Sequence, residues 1–170
     1  IYDFKWIDDF AAARNYSFEK LDTHHIFWMD SDDILLGKEF IPEMVQKCEE
    51  KNLDGVILEY LYAFDPVGEQ LLEDATPNIL SGRVSTQALA EDLRRRCITT
   101  QYRERLVRND PAWRWQYPVH EALPSNGKRL GKFDKVKILH RRHVRKVAVP
   151  GRRNLDILLK VPDGKRDERI

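Results

Sequence analysis

A chain of 170 residues with 42% hydrophobic and 10% aromatic side chains can bury a sizeable core, which excludes a disordered polyelectrolyte and fits one domain. Its 29 basic and 28 acidic groups give a net charge of +1, but they segregate. Residues 1–74 carry 6 basic and 18 acidic groups, net −12, and residues 75–170 carry 23 and 10, net +13, a pattern that disfavours a uniformly basic nucleic-acid binder.

Ile7, Phe10, Ala11, Phe18 and Leu21 recur at helical spacing, with Asp8 and Asp9 placed to serve the amino end of that helix. His25-Ile26-Phe27-Trp28-Met29 is a short apolar run that stops at Asp30 and reads as a strand buried on both faces, hence a sheet covered by helices. Residues 38–52 read as a helix with Phe40, Ile41, Met44, Val45 and Cys48 along one side. Asp54-Gly55 turns the chain into a strand from Val56 to Phe64, which Asp65-Pro66-Val67-Gly68 breaks. Residues 69–85 read as a loop, 86–97 as a short charged helix, and 99–108 and 133–140 as strands. After Pro150-Gly151, Leu155, Leu158 and Leu159 mark a last helix over 152–160. Helices and strands mixed in this way predict an α/β domain.

No apolar run approaches the roughly 20 residues needed to cross a bilayer, and no signal-peptide pattern opens the chain. Cys48 and Cys97 lack metal or redox spacing and read as ordinary thiols of a reducing, cytoplasmic compartment. The start at Ile1 suggests a fragment or a processed chain.

Three constellations carry chemistry. Asp30-Ser31-Asp32-Asp33 follows the first buried strand, where open α/β sheets bind ligands. Two carboxylates one residue apart can hold Mg²⁺ or Mn²⁺ and leave positions open for phosphate oxygens. The plainer reading makes Ser31, Asp32 or Asp33 the cap of a following helix. Leu35 and Ile41 occupy positions that an EF-hand loop reserves for Gly and Glu, so that motif is excluded. Next, Pro118-Val119-His120-Glu121 follows the aromatic run Trp113-Arg114-Trp115-Gln116-Tyr117. A carboxylate in such a loop can act as a general base, or the pair can simply pack under the tryptophans. Pro124 stands where a zinc-binding His-Glu-x-x-His helix needs its second histidine. Last, His140-Arg141-Arg142-His143 closes a strand. One histidine turned toward a metal held elsewhere is plausible, and the arginines suit diphosphate charge. His24-His25 reads as structural, and the basic residues form no recognised nucleic-acid motif.

The order of these motifs is more specific than any one of them. Phe4, Trp6, Asp8-Asp9-Phe10-Ala11, Ala13-Arg14-Asn15 and Trp28-Met29-Asp30-Ser31-Asp32-Asp33 resemble family 2 glycosyltransferases of GT-A fold. Arg105-Leu106-Val107-Arg108, Trp115, Val119-His120-Glu121 and His140 follow in the order seen in a bacterial branch that often carries helical or repeat extensions. The resemblance spans roughly residues 2–143. It implies a GT-A-like mixed sheet flanked by helices over residues 1–145, incomplete at its N-terminus because the nucleoside-binding start is missing, with a linker and helix at 146–170.

It also implies an inverting, metal-dependent transfer from a nucleotide-sugar donor to an unidentified acceptor: a glycan, lipid, peptide or protein. Asp30, Asp32, Asp33 and Arg14 match the donor-binding positions, and Asp30 and Asp32 with His140 match the metal-binding ones. Glu121 falls at the catalytic base, with His120 beside it. Two other readings stand beside this one. A haloacid-dehalogenase-like phosphatase would use Asp30 as nucleophile and Asp32 as acid/base, but Ile34 replaces its usual Thr or Val. A non-catalytic module on the same scaffold would stack Trp113, Trp115 and Tyr117 on sugar rings.

Overall fold

The structure, a computed structural model, describes residues 1–81, 86–140 and 152–162. Its elements run α1 (Phe10–Glu19), β1 (His25–Phe27), β2 (Asp33–Leu36), a 3₁₀ turn (Lys38–Phe40), α2 (Ile41–Glu50), β3 (Gly55–Phe64), α3 (Pro66–Leu80), α4 (Thr86–Arg95), β4 (Cys97–Arg108), β5 (Leu130–His140) and α5 (Arg153–Lys160). The five strands form one mixed sheet in the order β1-β4-β3-β5-β2, in which β3 runs parallel to β5 and β2 antiparallel to it. This is the mixed α/β architecture expected of a GT-A-like fold.

The chain divides into two compact units. Residues 27–106 and 128–143 make up the larger one, and residues 1–26, 107–127 and 144–170 the other. In the larger unit, β3 is the strand buried on both faces. Val56, Leu58 and Tyr60 join Met44 and Cys48 of α2 and Val136 and Ile138 of β5 in one cluster. Leu61 and Phe64 join Leu72 and Ile79 of α3, Leu89 and Leu93 of α4, and Leu139 in the other. Alternate residues of a strand point to opposite faces, so a near-continuous apolar run is what such a strand requires.

Several expectations change. The strand at His25 is only three residues long, with Ile26 alone fully buried in it. Residues 66–80, expected as a strand break and loop, are helix α3. Asp65 caps it by accepting from Gly68 N at 2.7 Å, and Pro66 occupies the first turn, where a missing N–H costs nothing. What read as a breaker is a helix start. Pro77 then sits inside the helix and removes one backbone hydrogen bond. No helix directly follows the Asp-rich turn, so the capping reading of Ser31, Asp32 or Asp33 fails: Asp33 opens strand β2. The 3₁₀ turn after it is entered through Gly37, whose φ of +75° lies in the left-handed region and whose missing Cβ would strike the Lys135 carbonyl.

In the smaller unit, Asp9 caps α1 by accepting from Ala12 N at 2.8 Å. Lys160 of α5 pairs with Asp8, and Arg153 lies 4.9 Å from the Phe10 ring centre. Residues 141–151 and 163–170, with Arg141, Arg142, His143 and most of the expected linker, lie outside the described residues. Among the described residues, no helix is long and apolar enough to cross a membrane.

Candidate functional site

The acidic centre lies in the larger unit, and three strands build it. After β1 the chain continues beside β4, Trp28 N donating to Arg105 O at 3.1 Å, and then turns back at Asp30–Asp33. The turn closes on itself: Asp33 N donates to Asp30 O at 3.1 Å, and Asp30 N donates to the Asp33 carboxylate at 3.1 Å. Pairing of β2 with β5 sets Asp33 opposite His140, which explains how residues 107 positions apart meet. Asp32, Asp33 and His140 offer ligand atoms that all lie within 4.8 Å of one another, the one such group among the described residues. Asp30, expected as a ligand, is not part of it.

The Asp33 side chain is wholly buried and committed to protein partners. Its Oδ2 lies 3.0 Å from Nη1 of Arg105, a charge contact without hydrogen-bond alignment. Its Oδ1 accepts from the Tyr60 hydroxyl at 2.9 Å. Arg105, 1% exposed, is stacked between Trp28 at 3.9 Å and Tyr60 at 4.5 Å. Burial pulls the guanidinium pKa below its ordinary value, while Asp33, Tyr60 and Asp30 oppose that shift. Burial, then the Asp33 charge, hold the Tyr60 phenol well above the usual tyrosine range, so it keeps its proton at any physiological pH. The same hydroxyl lies 2.9 Å from His140 Nδ1, and Tyr62 stacks flat on the His140 ring at 4.8 Å.

The second set of expected residues lies in the smaller unit. Gln116 and Ala122 pair through two backbone hydrogen bonds of 2.9 and 3.0 Å, closing a loop that carries His120 and Glu121. Helix α1 grips this loop. Asn15 donates to Trp115 O at 3.0 Å and accepts from Trp115 N at 2.9 Å, and Phe10 N donates to Pro118 O at 2.9 Å. Arg14 Nε donates to Glu121 Oε1 at 2.8 Å, and its guanidinium stacks on Trp115 at 4.7 Å. His120 is exposed, whereas Trp113 and Trp115 are 4% and 3% exposed. Those two rings are core and cannot offer a face to a sugar, which leaves only the half-buried Tyr117 of the three rings in the stacking reading. Tyr117 at φ 71° and His120 at φ 54° hold the loop in the left-handed region, as does Asp8 at φ 60° just before α1. Such strain in non-glycine residues persists only where surrounding contacts impose it, and it gathers at functional sites.

Chain-order reasoning singled out Asp30, Asp32, Asp33, His140, Arg14, His120 and Glu121. It did not foresee the Arg14–Glu121 pair, nor the parts of Tyr60, Tyr62 and Arg105. The signal for the tyrosines was available: hydroxylated rings at alternate positions of a strand whose other polar side chain is Glu59, both on one face.

Comparison with known families matches residues 2–110 to the model described as Glycosyl transferase family 2. The match contains Arg14 and the Asp-rich turn and ends before His120, Glu121 and His140. No curated protein matches the chain. With 109 of its 170 residues matched, and with a mixed sheet ending in this acidic turn, the chain belongs to the family 2 glycosyltransferases.

Proposed function

We propose that the protein takes part in metal-dependent, inverting transfer of a sugar from a nucleotide-diphosphate donor to an acceptor. The observation that carries this reading is the Asp32, Asp33 and His140 group beside a family-matched acidic turn. The donor set suits a divalent cation. Two carboxylates fit Mg²⁺ or Mn²⁺, and the added imidazole favours Mn²⁺. Since Asp33 is already engaged by Arg105 and Tyr60, Asp32 and His140 are the residues to hold the ion, with Asp30 on the diphosphate side. When bound, the ion supplies positive charge where the leaving diphosphate gathers negative charge.

Glu121 is the candidate base. As the acceptor oxygen attacks the anomeric carbon and the carbon–phosphate-oxygen bond breaks, the acceptor proton passes to the Glu121 carboxylate. Arg14, matched by resemblance to the nucleotide side, has its Nε committed to Glu121, so it serves here to orient that carboxylate. His120, exposed beside it, is the second candidate for handling the proton. Membership in the transferase family sets the phosphatase reading aside. Cys48 and Cys97, present as thiols, suit a cytoplasmic setting.

The test is binding of Mn²⁺ followed by titration calorimetry and electron paramagnetic resonance, with UDP, GDP and dTDP as nucleotide probes. At least one nucleotide should bind with Mn²⁺, and both signals should vanish with EDTA or in Asp32→Asn. Mn²⁺ binding that is indifferent to Asp32→Asn and His140→Ala would sink the metal assignment.

A further inference from the structure

The Tyr60 hydroxyl is the one atom in the acidic centre asked to satisfy two neighbours with a single proton. It lies 2.9 Å from Asp33 Oδ1 and 2.9 Å from His140 Nδ1. A hydroxyl has one proton and two lone pairs, and a carboxylate paired with a guanidinium accepts only. The Tyr60 proton therefore points to Asp33; otherwise two oxygen lone pairs would face each other inside a buried site. The remaining contact is then a bond that the phenol oxygen accepts, which requires the proton of the neutral His140 ring to sit on Nδ1. Asp33 itself is 3.6 Å from Nδ1, too far for a hydrogen bond of its own.

We infer that Tyr60 is a positioning residue that fixes His140 as the Nδ1–H tautomer and so reserves Nε2 for the cation. The inference rests on the metal reading above, and it adds a relay that no sequence motif showed: Arg105 holds Asp33, Asp33 holds Tyr60, and Tyr60 holds His140. Each link has its own packing support. Arg105 is clamped between Trp28 and Tyr60, and Tyr62 stacks at an interplanar angle of 6° on the imidazole, fixing the ring plane that the hydrogen bond alone would leave free to swing. Outer hydrogen bonds of this kind orient a histidine ligand and raise its basicity, and their loss typically weakens metal binding about 10–100-fold.

The test has two readouts, neither of them activity. Long-range ¹H–¹⁵N correlation of the metal-free protein in mildly alkaline buffer reports which nitrogen of His140 carries the proton. The wild type should show the Nδ1–H tautomer, and this measurement needs no variant. Tyr60→Phe keeps the ring that stacks on Arg105 and removes only the hydroxyl. It should leave His140 as a tautomer mixture and weaken Mn²⁺ binding about 10–100-fold. An Nε2–H tautomer in the wild type overturns the inference, as does a folded Tyr60→Phe variant with unchanged Mn²⁺ affinity. A wild type that shows Nδ1–H but binds no Mn²⁺ overturns the metal reading and the purpose assigned to Tyr60 with it. That result is recognisably different, because the tautomer itself would stand.

Discussion

The acidic centre of the larger unit and the Arg14–Glu121 pair of the smaller one hold their carboxylates by opposite means. Asp33 is 0% exposed on its side chain, begins a strand, and meets a guanidinium that is itself buried under two aromatic rings. Glu121 keeps 17% of its side chain exposed and sits in an irregular loop whose shape depends on strained backbone and on hydrogen bonds from a helix. The first arrangement suits a fixed scaffold for an ion, since sites on sheet strands are held more precisely than sites on loops. The second leaves a carboxylate oriented yet reachable by solvent, which suits the proton exchange proposed for it. Rigidity and access are divided between the two regions.

Breaking the buried side should have the largest effect. Arg105→Ala leaves the Asp33 charge buried without its partner and empties the space between Trp28 and Tyr60. Loss of one member of a buried pair costs about 3–5 kcal/mol, so urea denaturation should show a fall of that size, or no folded protein. Arg105→Lys should recover only part of it, because an ammonium cannot stack as a planar guanidinium does. Stability unchanged by Arg105→Ala would mean that the centre is not organised around this cation.

The loop side should answer in rate and not in stability. Glu121→Gln preserves shape and removes the proposed proton acceptor. Release of nucleoside diphosphate from whichever nucleotide sugar the protein turns over should drop about a hundredfold or more, upwards of about 3 kcal/mol in the barrier, with thermal stability nearly constant. If Glu121→Gln instead lowers thermal stability while the protein that stays folded keeps its activity, the Arg14–Glu121 pair is structural and the contrast between the regions disappears.

A finer probe tests how much the helix itself contributes to the loop. Asn15→Ala removes both hydrogen bonds to the Trp115 backbone. The expected cost is about 1–3 kcal/mol, because the freed backbone groups are partly buried. Amide exchange should locate the loss in residues 113–122 and leave β3 and β5 protected. Uniform loss of protection would show that the loop is not separately held.

The two regions also differed in how much their sequence disclosed. The Asp-rich turn, His140, β3 and the α2 face were legible because apolar periodicity and chain order report local structure directly: Met44 and Cys48 fall one turn apart, and β3 is apolar on both faces. Strand β2 escaped because four residues, Asp33 to Leu36, are too few to display a period. Helix α3 escaped because Asp65-Pro66 signals both a strand end and a helix start, and only the packing of Leu72 and Ile79 against β3 decides between them. The partners of Asp33 were illegible for another reason. Register between β2 and β5 is a long-range property, and nothing near position 33 announces a tyrosine at 60 or a histidine at 140.

Acid should produce the smallest effect, and its sign follows from Glu59. This carboxylate, 3% exposed on β3, accepts from Lys137, its cross-strand neighbour on β5, and from Arg94 of α4 at 2.9 Å. Burial alone pushes its pKa up, while the Lys137 and Arg94 charges pull it down and prevail, so it lies below the ordinary glutamate value. A depressed folded-state pKa adds stability that is fully present above the unfolded value of about 4.3 and is lost as pH falls through the folded one. The effect is small because burial opposes the two cations and because Arg94 is half exposed and screened by solvent. Denaturation midpoints measured from pH 7 down to pH 3 should therefore decline below about pH 4.3 in the wild type. Glu59→Gln should start from a lower midpoint, since Lys137 is left buried without a counter-charge, yet decline less steeply across that same window. Parallel curves for the two proteins would mean that the acid sensitivity of the larger unit arises elsewhere, with the carboxylates around Asp33 the next to be exchanged.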